Sequence, residues 1–279
     1  MDAKILPIEV NHLLPVLHDK LIALLQSLSD AEWNRPTIAK LWTVKDIAAH
    51  LLDTNLRSIS MIRDGFFGEI PTGIDSNKDL IDFLNRLNAD WVRAMKRVSP
   101  TSLIELLAQS GNEFNKALAS LAPYDTAMFS VAWAGEEQSL NWFHVAREYT
   151  EKWIHQQQIR HAVNKPGILT KELFHPFIDT FMYGMPYTYR NVSAADGTCV
   201  KISIIGDAGD DWFLVKQAAG WALSKQIKDR CDVAVFLDAE TAWKLFSKGM
   251  SPAEALPFVS FKGDQDLGKV ALSMISVMA

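Results

Sequence analysis

The chain has 279 residues, with 28 Lys and Arg against 33 Asp and Glu, a net charge of −5 at pH 7, 48% hydrophobic residues and 22% charged ones. At about 100 to 200 residues per domain this length suits one large domain or two modest ones, of which two are favoured, and the composition leaves little room for disorder. The basic residues are spread along the chain, which argues against a nucleic-acid or anionic-membrane surface, and no stretch approaches the roughly 18 apolar residues of a membrane span.

The first residues, Met1 to Glu9, lack a basic region followed by an apolar run, so cytoplasmic residence is expected. Residues 8 to 28 carry Leu13, Leu14, Leu17, Leu21, Leu24, Leu25 and Leu28 at steps of three and four, which predicts one amphipathic helix. After Asn34-Arg-Pro36, Thr43 stands three residues before Asp46, a capping-box spacing with Asp in place of Glu. It predicts a helix running to about residue 63, before Asp64-Gly65. Two further helices are predicted over about 77–98 and 101–121, divided at Ser99-Pro100, where proline suits a helix start. Another is predicted from near Ser139 to about Ala162, broken by Asn164-Lys-Pro166-Gly167.

The pattern then changes. Residues 170–190 are mixed. Cys199–Ile205, Asp211–Gln217 and Asp232–Leu237 alternate or run apolar at strand length, separated by Gly-Asp and Ala-Gly-Trp turns. Asp238 is placed to cap a helix over 239–247, Pro252 to begin a short one, Phe258–Phe261 reads as a strand, and a last helix follows Asp264. The fold class expected is thus multidomain, an all-α segment over 1–165 followed by a small α+β segment over 166–279. Cys199 and Cys231 each fall in an apolar strand-like run. Two cysteines indicate no disulfide framework, so core packing is expected of both, with a nucleophile as the alternative.

Glu151 and His155 are four apart on a predicted helix and so share a face, while His50 lies within the apolar Ile47-Ala-Ala-His50-Leu-Leu of another helix. Two imidazoles and a carboxylate can hold a divalent transition metal with a position open for water or substrate. An acid and a histidine four apart also commonly mark a solvated face, and a buried histidine can be a satisfied core residue. An imidazole in an apolar helix needs a partner to offset its desolvation, and bundle cores are a usual location for metal sites. Around these three, His144 and Glu148 form another four-apart pair, and Asp53 is placed to hold the His50 tautomer. Arg147 is placed to steer an anionic substrate. His161 and His175 read as exposed or structural, and Trp133-Ala-Gly-Glu136 as a turn whose ring lines a pocket.

The segments Leu41-Trp-Thr-Val-Lys-Asp-Ile-Ala-Ala-His50-Leu and Arg147-Glu-Tyr-Thr-Glu151-Lys-Trp-Ile-His155-Gln-Gln-Gln-Ile-Arg160 resemble the DinB-like metalloprotein superfamily, and more closely its thiol-dependent maleylpyruvate isomerase type. The resemblance implies a DinB-like bundle with a four-helix core and zinc bound by His50, Glu151 and His155. Residues 221–264 look like the sterol-carrier-like α+β domain that such isomerases append. A catalytic arginine is expected there, for which Arg230 is the candidate beside Arg147. The cofactor implied is a low-molecular-weight thiol, mycothiol in the best-known branch, acting on a small anionic molecule by isomerisation or S-transfer. Two other readings remain open at the level of the residues: a metal-dependent hydrolase without thiol, and a non-enzymatic ligand binder whose metal is structural.

Overall fold

The computed structural model describes residues 7–224 and 230–274. Helix α1 (Leu13–Gln26) buries Leu13, Leu14, Leu17, Leu21, Leu24 and Leu25, the predicted stripe. A short α2 (Asp30–Trp33) turns the chain toward α3 (Val44–Asp64). The predicted capping box starts α3: the Thr43 hydroxyl accepts from the Asp46 amide while Asp46 Oδ2 accepts from the Thr43 amide at 3.0 Å. Gly65, at φ 65°, ends it in the left-handed region. Then come α4 (Asn77–Met95), α5 (Pro100–Ala119), with Ser99 as cap and Pro100 in the first turn, and α6 (Asn141–Val163).

The mixed stretch after residue 170 forms α7 (Lys171–Met182) and a single turn, α8 (Met185–Thr188). Helix α7 was masked in the sequence by Pro176, which lies inside it. Its Leu173, Phe174, Phe177, Ile178 and Phe181 nonetheless keep helical spacing and are all buried. Strands β1 (Cys199–Ile205), β2 (Asp211–Gln217), β3 (Gly220–Ser224) and β4 (Val233–Asp238) precede α9 (Ala239–Phe246), capped by Asp238 as expected, and α10 (Pro252–Ala255). Strand β5 (Ser260–Gly263) and α11 (Gln265–Lys269) complete the order. The sheet is mixed, in the order β3-β2-β1-β4-β5, with β1 antiparallel to β2 and parallel to β4. Strand β3 stands where the sequence suggested only a turn: a hairpin pairs Gln217 with Gly220, and only Trp221 and Leu223 alternate behind it. Among the described residues no helix is long and apolar enough to cross a membrane.

Contacts divide the chain into two compact units, one of Glu9–Asp125 with Glu151–Ile168, the other comprising chiefly Thr126–Thr150 and Leu169–Val277. The first is a helical bundle. Leucines of α1, Val44 to Leu52 of α3, Leu103 and Leu107 of α5, and Ile159 and Val163 of α6 share one core, on which Met95 of α4 also packs. Burying each such side chain contributes roughly 1.5–3 kcal/mol. The second unit buries Phe174, Phe177, Phe181, Tyr189, Trp243 and Phe246. Two of its tyrosines are tied by their hydroxyls, Tyr149 donating to Leu173 O at 2.7 Å and Tyr189 to Leu267 O at 2.8 Å.

The cysteines correct the expectation of two separate core thiols: Cys199 and Cys231 form a disulfide, with Cα atoms 4.6 Å apart. The cause is strand register. Parallel pairing sets Val200 opposite Val233, which brings the ends of β1 and β4 together, and the Cys199 amide also donates to Asp232 Oδ2 at 2.8 Å. That proximity spans 32 residues of sequence and has no local signal.

Gly263 closes β5 at φ 103°, and a Cβ there would stand 2.1 Å from Asp232 O. Gly263→Ala should therefore lower unfolding free energy by about 1 kcal/mol or more. Gly197→Ala, at φ 88° with no atom within 4 Å, should cost less. Urea denaturation of the two variants compares them, and equal midpoints would show that the Asp232 carbonyl gives way freely.

Candidate metal centre

Helix α3 presents His50 from a segment whose neighbours Ile47, Ala48, Ala49, Leu51 and Leu52 are all buried, and the imidazole itself is only 7% exposed. Its ring lies 4.7 Å from that of His155 and 4.8 Å from that of Trp42, which also stands 6.1 Å from His155. His50 Nδ1 is buried and has no hydrogen-bond partner among the described residues. Burial holds this imidazole well below its usual pKa, and the charges of Arg57 and Lys152 act in the same direction. A neutral imidazole keeps a lone pair, which a metal ion requires.

Helix α6 supplies the other two candidates one turn apart, with Glu151 Oε2 3.5 Å from His155 Nε2. On the far edge of the ring, His155 Nδ1 lies 2.9 Å from Gln158 Oε1. A carbonyl oxygen only accepts, so this contact puts a proton on Nδ1 and leaves Nε2, the nitrogen nearer Glu151, as the atom that carries the lone pair whenever the ring is neutral. Between these ligand candidates Lys152 turns toward α3. Its ammonium donates to Thr54 Oγ1 and Asn55 Oδ1, both at 2.6 Å, and stands 4.3 Å above the centre of the Phe114 ring.

The structure thus gathers His50, Glu151 and His155 in one unit. As they stand, no three His, Cys, Asp or Glu side chains among the described residues are arranged to hold an ion. The donor set nonetheless fits a divalent transition metal: two imidazoles and a carboxylate, one imidazole orphaned in the core and the other with its tautomer fixed.

Asp53 does not orient His50. Its Oδ2 pairs with Arg57 Nε at 2.9 Å, one turn along the same helix, while burial raises its pKa against the influence of that guanidinium. Arg147, His144 and Glu148 belong to the other compact unit, because the division passes through α6 between Thr150 and Glu151. There Arg147 Nη2 donates to Glu148 Oε1 and to His144 Nδ1, both at 2.8 Å. Burial lowers His144 to about 4, against the Glu148 carboxylate and with the help of the Arg147 charge. Arg230, next to Cys231, is exposed. His161 is exposed, and His175 pairs with Asp210 at 3.1 Å and stacks on Trp212. Trp133 packs against Phe143 and Phe181.

Trp42, Lys152 and Gln158 went unnoticed in the sequence. Gln158 alone carried a signal, three residues after His155 on the same helix.

A family model described as the mycothiol maleylpyruvate isomerase N-terminal domain matches residues 14–160. A crystal structure of a histidine-to-alanine mutant of mycothiol-dependent maleylpyruvate isomerase resembles the chain at 11% identity, covering 86% of this chain and 88% of that one, with a TM-score of 0.51. A second crystal structure of mycothiol-dependent maleylpyruvate isomerase has 12% identity, the same coverage and a TM-score of 0.48. The first of these shares the fold. No curated protein matches the chain.

Two buried neutral imidazoles predict how metal-free protein responds to acid. His50 and His144 both bind a proton more weakly when folded, so below their ordinary value of 6.5 the unfolded chain holds more protons and stability falls with pH. The urea midpoint of chelator-treated protein should drop as pH is lowered from 6.5 toward about 4, where His144 itself titrates. The slope is at most about 1.4 kcal/mol per pH unit per group, and His144→Gln should make it shallower. A midpoint flat across that window would mean that both imidazoles protonate in place without penalty.

Proposed function

This chain belongs to the mycothiol maleylpyruvate isomerase N-terminal-domain family, and from that premise we propose that it is an enzyme using a low-molecular-weight thiol to isomerise a small anionic molecule. S-transfer to such a molecule is the neighbouring chemistry. The cofactors of this reading are mycothiol, or a thiol like it, and a divalent metal, most simply zinc. His50, Glu151 and His155 are its ligands. The observation that carries it is the buried His50 Nδ1, without a partner among the described residues, in a ring 4.7 Å from that of His155.

A bound divalent cation supplies one thing here, a lowered pKa for a coordinated thiol or water, so that a nucleophile exists at neutral pH. The protein supplies the rest. Its apolar α3 keeps His50 neutral, Gln158 holds a His155 proton on Nδ1, and the Trp42 ring lies tilted beside both imidazoles, limiting water on that side. Of the two arginines proposed to hold a substrate carboxylate, Arg230 is exposed whereas Arg147 is engaged with Glu148 and His144. In this reading residues 1–165 form the metal-binding bundle and 166–279 a sterol-carrier-like domain. The mixed five-stranded sheet and α9 support the latter.

Metal analysis tests the centre directly. Zinc-reconstituted wild type should retain about one equivalent, as a single three-ligand site would, and folded His50→Ala and His155→Ala should retain almost none. Gln158→Leu should weaken zinc binding about 10- to 100-fold, the usual cost of removing the group that orients a ligating histidine. Mycothiol-dependent isomerisation of maleylpyruvate should vanish with the metal. Unchanged metal content in both histidine variants would overturn the ligand set. Activity on esters or amides in thiol-free buffer would favour the hydrolase instead.

A further inference from the structure

Within the helical unit lies a cavity of about 20 Å³, lined by residues of α1, α3, α5 and α6, that the proposed centre does not use. Much of its wall is leucine. The polar groups on it are His18, Asn55, Asn115, Lys152 and Gln156. Gln156 is wholly buried, yet neither its Oε1 nor its Nε2 has a hydrogen-bond partner among the described residues, and the same holds for Asn115 Nδ2. Three polar atoms on two helices are thus left unpaired beside one small space. A buried amide left without a partner costs about 1–3 kcal/mol, and native interiors satisfy nearly all such groups.

The donors and acceptors define what fits. Gln156 Oε1 needs a donor, whereas Gln156 Nε2 and Asn115 Nδ2 need an acceptor. A halide can only accept and an ammonium ion can only donate, so neither satisfies the set. Water does both, requires at least about 10–15 Å³, and settles where two to four polar partners converge. The cavity meets that requirement. We infer that this cavity is a binding site for one internal water, which bridges Gln156 on α6 to Asn115 on α5. Gln156 directly follows His155, so the bridge fastens α6 to α5 one residue from a proposed metal ligand. The site also depends on Gly111, since a Cβ there would stand 2.1 Å from the His18 ring that lines the cavity.

The test is a crystal structure of the full chain, at a resolution that shows ordered water, beside Gln156→Met, which keeps nearly the same shape without the amide. Wild type should show one peak within hydrogen-bond distance of both amides. The peak should be lost in Gln156→Met. An empty wild-type cavity, amides turned onto protein partners, density refining as a halide, or an unchanged peak in Gln156→Met would each overturn the inference. Should Gln156→Met fail to fold, Asn115→Leu takes its place and the wild-type density decides. None of these outcomes depends on whether the protein binds zinc.

Discussion

The packing of α3 against the second half of α6 governs everything at the proposed centre, and one ammonium group fastens it. Lys152 reaches from α6 to the Thr54 hydroxyl and the Asn55 carbonyl oxygen of α3, and spreads its charge over the Phe114 ring of α5. A half-buried cation held by oriented neutral acceptors tolerates little sliding, because each acceptor lost leaves charge partly desolvated. Three residues along, the same register sets His155 beside His50. The side chain that aligns the two helices therefore has no place among the ligands, and its worth lies in geometry.

A second constraint follows from burying imidazoles at all. His50 sits among alanines and leucines where a positive charge is costly, so the fold selects the neutral ring. For His155 the selection is finer. Gln158 fixes a proton on Nδ1, and so makes Nε2, on the Glu151 side, the nitrogen whose lone pair an ion would take. Charge state is set by the surrounding core and tautomer by a single amide, two levels of control that act on neighbouring rings.

What the sequence made legible was local. The Thr43–Asp46 box, the leucine stripe of α1, Pro100 at a helix start and Asp238 at a cap are each decided within four residues, and each appears in the structure. The pairing of Glu151 with His155 belongs to the same class. Features joining distant segments were not legible. The Cys199–Cys231 bond follows from a parallel strand register, and the assignment of Arg147 to a different unit from His50 follows from where contacts divide α6. Asp53 shows a subtler failure. It had two partners within one turn, His50 before it and Arg57 after, and a guanidinium attracts a carboxylate more strongly than a neutral ring does.

The disulfide also changes the topology of the sheet. The bond between Cys199 and Cys231 closes a covalent ring that contains all of β2 and β3, so this hairpin belongs to a loop of 32 residues and no longer to a linear segment. Ring closure of that size removes about 3–4 kcal/mol of freedom from the unfolded chain in the chain-entropy account. A protease that cut one peptide bond inside the ring would leave both fragments joined through sulfur. The hairpin could then re-form its ladder as an intramolecular partner, with no loss to dilution, for as long as the bond persisted.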